Sequence, residues 1–472
     1  MSEALIVRHD RLGRGKVLRS IRGGRFFIVR FDGESAPAHV CREELVFETP
    51  PELPRPEPTP VAEAADHQAL KMLEALRLGV VPSQGVEFYT VGRQIEIGAV
   101  QKDLDEAGEI GSARVLLGDY GTGKTHMLEC VESMARERNF LVSRVVLDDE
   151  EVAPSFPKRV YRALVRGLRY PDGDPSARGL EPLLRSAGNV VPRSFFDPRS
   201  SDYHRYLSPV LAHYRELQDL PSARALLETM LDWLQGNPTL SNQDLCRDLR
   251  LTTRLRSHRL YALMDYRTWA HLYAYVLGGI AYLARQCGYR GVALLFDEAE
   301  FYSLLSSSGR EFADLLFGYY AAAALGPGRV RFDVEGARRG GHPVHRGFPP
   351  RYREHQPIYC VFAMTDDPGG MEALARILRE DRFSCLSPLR LEDYQELCRR
   401  VVEIYRRAYP DLVVGDEVQL PMGQVVYRGV ERGRFENPRQ VLKFVLELLD
   451  FTRLRPSQLP EYIREVLAHL RE

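Results

Sequence analysis

The eight residues Gly118-Asp119-Tyr120-Gly121-Thr122-Gly123-Lys124-Thr125 constrain this chain more than any other stretch. A short apolar strand, Arg114–Leu117, leads into them and a helical pattern, His126–Glu137, follows. G-x-x-x-x-G-K-T between a strand and a helix is a phosphate-binding loop. Its glycines let consecutive backbone N–H groups curl around a β-phosphate, and the following helix N-terminus adds a favourable dipole. Lys124 then reaches the β- and γ-phosphates, and Thr125 ligates Mg²⁺. The expected ligand is therefore ATP with Mg²⁺.

A second signature fits the first. The apolar strand Gly291–Phe296 ends in Asp297-Glu298, and a carboxylate at the C-terminal end of a buried strand is where a further metal ligand belongs. Asp297 would hold Mg²⁺ through water, and Glu298 would polarise the attacking water, which favours hydrolysis over simple binding. Taken alone, Asp-Glu also reads as a helix N-cap with a first-turn acid.

Composition adds one sharp point. Of 64 basic residues only six are lysine (Lys16, Lys71, Lys102, Lys124, Lys158, Lys443), and the net charge is −1. The near-neutral sum excludes a protein that coats nucleic acid by bulk attraction, but not a local basic surface. Arg and Lys are equivalent on most solvated surface and differ at special sites, so each lysine kept against this bias invites inspection. The N-terminus lacks the apolar stretch of a signal peptide, the longest apolar run (Leu272–Ala284) is shorter than a bilayer span, and the seven cysteines form no C-x-x-C pair. The expectation is a cytoplasmic protein without disulfides, zinc fingers or membrane contact.

Residues 1–48 alternate as short strands (Ala4–Val7, Lys16–Ile21, Arg25–Arg30, His39–Val40, Leu45–Phe47) and read as a small β-barrel. Residues 49–63 are a proline-rich linker. Residues 64–388 read as an α/β core with a parallel sheet, and 389–472 as a helical lid. The interval from Lys124 to Asp297 exceeds what two or three βα units need. The excess, about 170–266, reads as an α-helical insertion whose role (lid, oligomer contact or bulk) the pattern leaves open.

Further residues resemble the AAA+ class of ATPases, in its initiator-like branch. Val91-Gly92-Arg93 with Glu96 resembles the box beside the adenine. Ile358–Thr365 resembles the central strand ending in a polar sensor, Thr365. Arg382-Phe383 resembles the segment carrying an arginine finger, and Asn437-Pro438-Arg439 the sensor-2 motif of the lid. The resemblance implies that Arg382 in trans and Arg439 in cis neutralise charge on the γ-phosphate. Either could equally be a solvated or ion-paired arginine in so arginine-rich a chain.

Three segments narrow the likeness: Gly118–Leu128, Tyr161–Leu164, and Gly288–Gly291 with Asp297-Glu298-Ala299-Glu300. Together they resemble the ATP-binding proteins of BREX-type phage-defence clusters, over roughly residues 77–450. That implies a defence ATPase working with partner proteins, on DNA, as a homo-oligomer. Residues 1–48 lie outside this likeness and are similar to Tudor/SH3-like modules, which bind either protein or nucleic acid. Between the two strand motifs, Gly326–His355 holds Arg329, Arg331, Arg338, Arg339, Arg346, Arg351 and Arg353. These read as a candidate phosphate-backbone contact or as a plain surface loop. His342 and His345 within it lack a third ligand nearby. Two functional classes stay in view: an oligomeric ATPase that couples hydrolysis to DNA or partner remodelling, and a slow nucleotide-dependent switch that recruits a partner.

Overall fold

Alternating apolar residues at the start of the chain pair into an antiparallel sheet. The computed structural model describes residues 6–469 except 22–25, 35, 42–43, 48–65, 83, 172–176, 238–241, 254, 256–257, 341–342, 366–367 and 413. The chain divides into two units, Met1–Ala64 and Ala65–Glu472. The expected linker 49–63 and His342 lie outside the described residues.

In the first unit, β1 (Ile6–His9), β2 (Gly13–Ile21), β3 (Phe26–Phe31), β4 (Ala38–Cys41) and β5 (Leu45–Phe47) form one sheet in the order β4-β3-β2-β1-β5. Val7, Phe27, Val29, Phe31, Val40 and Leu45 make its core. Among the described residues β4 and β5 pair on one side only and stand at the two ends of this five-stranded antiparallel sheet.

The second unit begins with helices α1 (His67–Arg77) and α2 (Gln94–Ala107), which precede β6 (Ser112–Leu117). The phosphate loop then leads into α3 (Lys124–Glu137), β7 (Phe140–Val146) and α4 (Pro157–Arg166). Helices α5 (Glu181–Val190), α6 (Leu207–Leu217), α7 (Arg224–Leu234) and α8 (Asn242–Thr252) make up the helical insertion. After it come α9 (Ala270–Gln286), β8 (Gly291–Asp297), α10 (Ser307–Leu325), the single turn α11 (Pro343–Arg346), β9 (Ile358–Met364), α12 (Pro368–Ile377) and β10 (Phe383–Cys385). The C-terminal helices are α13 (Leu391–Ala408), α14 (Asp416–Glu431), α15 (Pro438–Leu454) and α16 (Leu459–His469).

The five core strands are parallel, in the order β10-β6-β9-β8-β7. β6, β8 and β9 are buried at every position, as a sheet covered on both faces requires. Alternate residues serve opposite layers. Val115, Leu117, Val292, Leu294, Phe296, Cys360 and Phe362 pack with α9 and α10. Leu116, Ala293, Leu295, Tyr359 and Val361 pack with α1, α3, α13 and α15. The lid helices thus share a core with one face of the sheet, at whose C-terminal end the phosphate loop emerges.

Candidate active site

Parallel strands release their loops at one end, and here the ends of β6, β8 and β9 deliver the predicted residues together. Lys124 is buried (8% exposed). Its Nζ donates to the Gly118 carbonyl (3.0 Å), the Asp119 carbonyl (3.3 Å) and Thr365 Oγ1 (3.0 Å). Thr125 Oγ1 stands 3.5 Å from Asp297 Oδ2, across adjacent elements. Asp297 is 3% exposed, and its Oδ1 accepts the Glu298 N–H at 3.1 Å. Glu298 adopts a left-handed backbone (φ 57°), which a non-glycine residue pays for with about 1 kcal/mol or more of strain. Such strain is characteristic of functional turns. Burial raises the Glu298 carboxyl above the ordinary range, and the neighbouring Glu300 and Asp297 charges add to it.

Above these residues lies a cavity of about 630 Å³, the size of a small-molecule site. Leu76, Val80, Val81, Val91, Leu397 and Leu442 give it an apolar end. Tyr120–Thr125, Glu298 and Arg439 line the polar end. The start of α15 packs directly on the phosphate loop: a Cβ on Gly121, whose φ is +83°, would lie 2.8 Å from the Asn437 Cβ. Asn437 caps α15 by accepting the Gln440 N–H (3.2 Å), so one residue both starts the lid helix and seals the loop.

Arg93 fixes the loop from below. It is 5% exposed and donates to the Thr122 and Ser387 carbonyls, both at 2.7 Å, with Glu96 3.5 Å away. The preceding Gly92 (φ +64°) lies against the Asp393 carboxylate, 2.7 Å from where a Cβ would sit. The Val91-Gly92-Arg93 box therefore joins the α2 start, the phosphate loop and the base of the lid. His126, next to Thr125, also borders the cavity. Thr90 Oγ1 donates its proton to the Val86 carbonyl (2.6 Å), so at 2.8 Å the His126 Nε2–H is the donor to that oxygen. Burial, aided by Arg93, pushes His126 down to about 4, leaving it neutral near pH 7.

Three residues at the site have no role assigned from the sequence. Arg144 on β7 donates from Nη2 to Asp297 Oδ2 and from Nη1 to Glu129, both at 2.6 Å. Nothing in its sequence context separates it from the other arginines. Glu300 accepts the Thr365 hydroxyl; it stands in the Asp297–Glu300 motif but had no role. Lys443 lines the cavity beside Arg439, and here lysine scarcity was the available clue.

Arg382 is placed elsewhere. Its Nη1 donates to Glu106 Oε2 and Ser112 Oγ, both at 2.8 Å, with Asp103 at 3.4 Å. Ser112 begins β6 and the phosphate loop follows its end. At about 3.3 Å per residue, Arg382 sits roughly 15–20 Å from that loop, at the opposite end of the strand. The loop arginines do not converge either. Arg329 is bound to Glu106 and the Gly111 carbonyl, Arg331 to the Ala375 carbonyl, Arg339 to the Val334 carbonyl, and Arg353 to Asp202. Arg338 lies over Phe312, and Arg351 is half-buried with Nε and Nη2 unpartnered. Their segment contains a 3₁₀ turn (Pro327–Arg329) and α11 and, among the described residues, no hairpin. Among the described residues no helix is long and apolar enough to cross a membrane.

Residues 65–185 match the family described as BREX system ATP-binding protein BrxC/D. The resemblance read from the motifs is thus borne out over a segment running from α1 to α5 and including the phosphate loop. Asp297, Glu298, Thr365 and the lid lie beyond the matched residues. No curated protein matches the chain.

Proposed function

We propose that this chain, carrying a BREX ATP-binding segment, is a Mg²⁺-dependent ATP hydrolase with an AAA+-like core that serves a bacterial phage-defence system in the cytoplasm. The observation that supports it most is the grouping of Lys124, Thr125, Asp297, Glu298 and Thr365 at three neighbouring strand ends, under a lid that brings Arg439 to the same cavity. The sheet order supports the AAA+-like reading, because the strand ending at Thr365 lies between the phosphate-loop strand and the Asp297 strand.

In this reading the loop N–H groups and Lys124 hold the β- and γ-phosphates. The hard oxygens of Thr125 and Asp297 are adjacent and suit Mg²⁺, which when bound supplies charge neutralisation at the phosphates. Glu298 takes a proton from the attacking water, and its raised carboxyl pKa makes it the stronger acceptor for that proton. Thr365 donates to a γ-phosphate oxygen, and Arg439 adds positive charge from the lid. Arg93 acts on the loop rather than on the nucleotide. Arg382 would serve a neighbouring subunit only by leaving Glu106 and Ser112, so we assign it to holding the sheet. The other components of the defence system are the expected partners, with homo-oligomerisation and DNA contact belonging to the same reading. Of the seven loop arginines, Arg338 lies over Phe312 and Arg351 leaves Nε and Nη2 without a hydrogen-bond partner among the described residues.

A slow nucleotide switch that recruits a partner is the second reading, and the Arg144–Asp297 contact favours it, since a guanidinium shares the oxygen nearest Thr125. Phosphate release separates the two. In the hydrolase, Glu298→Gln lowers turnover by about 10²–10⁴-fold while ATP still binds, and Lys124→Ala loses binding. Equal, near-background release by wild type and E298Q, with ATP-dependent partner binding intact, overturns the hydrolase in favour of the switch.

A further inference from the structure

Glu300 lies two residues past Glu298, in the 3₁₀ turn Ala299–Leu304. Its Oε1 accepts the Thr365 hydroxyl, while its Oε2 is buried without a hydrogen-bond partner. A buried carboxylate oxygen with no donor destabilises the fold, so stability does not account for an acid at this position. Thr365 is at the same time the acceptor of Lys124 Nζ at 3.0 Å. A hydroxyl carries a single proton, and here that proton points to Glu300. The two groups expected to meet a γ-phosphate, Lys124 and Thr365, are therefore engaged with each other and with Glu300.

A nucleoside triphosphate and a diphosphate disturb this chain of contacts differently. The γ-phosphate needs the Thr365 proton and brings negative charge toward the Glu300 carboxylate. A diphosphate ends one group short and leaves the Thr365–Glu300 bond in place. We propose that Glu300 is a specificity-determining residue whose carboxylate competes with the γ-phosphate for the Thr365 hydroxyl, and so sets how strongly the pocket prefers a triphosphate over a diphosphate. The proposal rests on the reading of Thr365 as the γ-phosphate sensor.

The test is equilibrium titration of the full chain with Mg²⁺ and either a slowly hydrolysed ATP analogue or ADP, so that hydrolysis is not the readout. Glu300→Ala is expected to raise the preference for the triphosphate about tenfold, the scale of one charge-assisted hydrogen bond, with ADP affinity little changed. In a Thr365→Val background the same substitution is expected to change nothing. Glu300→Gln keeps an acceptor for the hydroxyl and is expected to fall between wild type and E300A. Equal shifts for both nucleotides, an undiminished E300A effect in T365V, or an E300Q value equal to that of E300A overturns the competition. Circular dichroism of each variant identifies any that misfolds, and Thr365→Ala then replaces T365V: it too removes the hydroxyl, and loss of the E300A effect is expected there as well. Failure of wild type to bind either nucleotide would sink the ATP-binding reading itself, a result distinct from wild-type binding that E300A leaves unaltered.

Discussion

At Gly121 two independent constraints meet in one residue. Its backbone is left-handed, and the Asn437 side chain occupies the space a Cβ would need. Alanine there must adopt a φ that costs about 1 kcal/mol or more and must also push the lid away from the loop. Gly121→Ala is expected to weaken ATP binding at least about tenfold, by the joint loss of loop shape and lid contact, and to lower the melting temperature by about a few degrees at most. Isothermal titration and a melting curve on the same preparation check both halves. The lysines show what composition contributes at this scale. Lys124 holds the loop, Lys443 borders the cavity, and Lys158 is 8% exposed with its pKa lowered by burial.

The element that organises the molecule is β6, because its two ends have different tasks. The C-terminal end releases the phosphate loop. The N-terminal end anchors a charged cluster in which Arg114, Arg329 and Arg382 face Asp103 and Glu106. Arg382 enters this cluster from the start of β10, the edge strand beside β6. Removing it leaves Glu106 and Asp103 short of a partner in a largely buried place. Arg382→Ala is expected to cost about 1–3 kcal/mol in urea unfolding and to leave turnover per folded molecule unchanged. A selective loss of turnover, restored by mixing with a subunit inactive through Lys124→Ala, would instead return Arg382 to the role of an arginine finger. Sequence alone made the two ends unequal in legibility. Gly118–Thr125 is contiguous, and each residue type has a steric or chemical reason that needs no knowledge of the fold. The partners of Arg382 lie some 270 positions away in Asp103, Glu106 and Ser112, and with 58 arginines in the chain no pattern singles out which one turns inward.

Across the whole molecule, buried imidazoles link stability to pH. Burial pushes His126 down to about 4 and His204 to about 3, from an ordinary value of 6.5. The unfolded chain therefore binds protons that the folded chain refuses between those limits, and stability falls as pH drops below 6.5. The urea midpoint is expected to decline from pH 7 toward pH 4, amounting to a few kcal/mol, before the carboxylates titrate fully. A midpoint constant from pH 7 to 5 would contradict it. The layered core was readable from the buried strand runs, and the helical character of the interval between the motifs from its pattern. Of the strand order only the central place of Ile358–Thr365 was read, from its resemblance, and β9 is the middle strand; the rest depends on which parallel neighbours pair, and β6, β8 and β9 are alike in apolar content. At the N-terminus alternation marked the strands of the expected barrel but not their pairing, which gives one antiparallel sheet in the order β4-β3-β2-β1-β5. The placement of Lys124 and Lys443 on one cavity has a practical side. An amine-directed label on this protein has six lysine side chains as targets, and two of them, Lys124 and Lys443, line the same chamber. Covalent footprinting, crude on most ATPases, here comes close to addressing the ligand chamber by its chemistry alone.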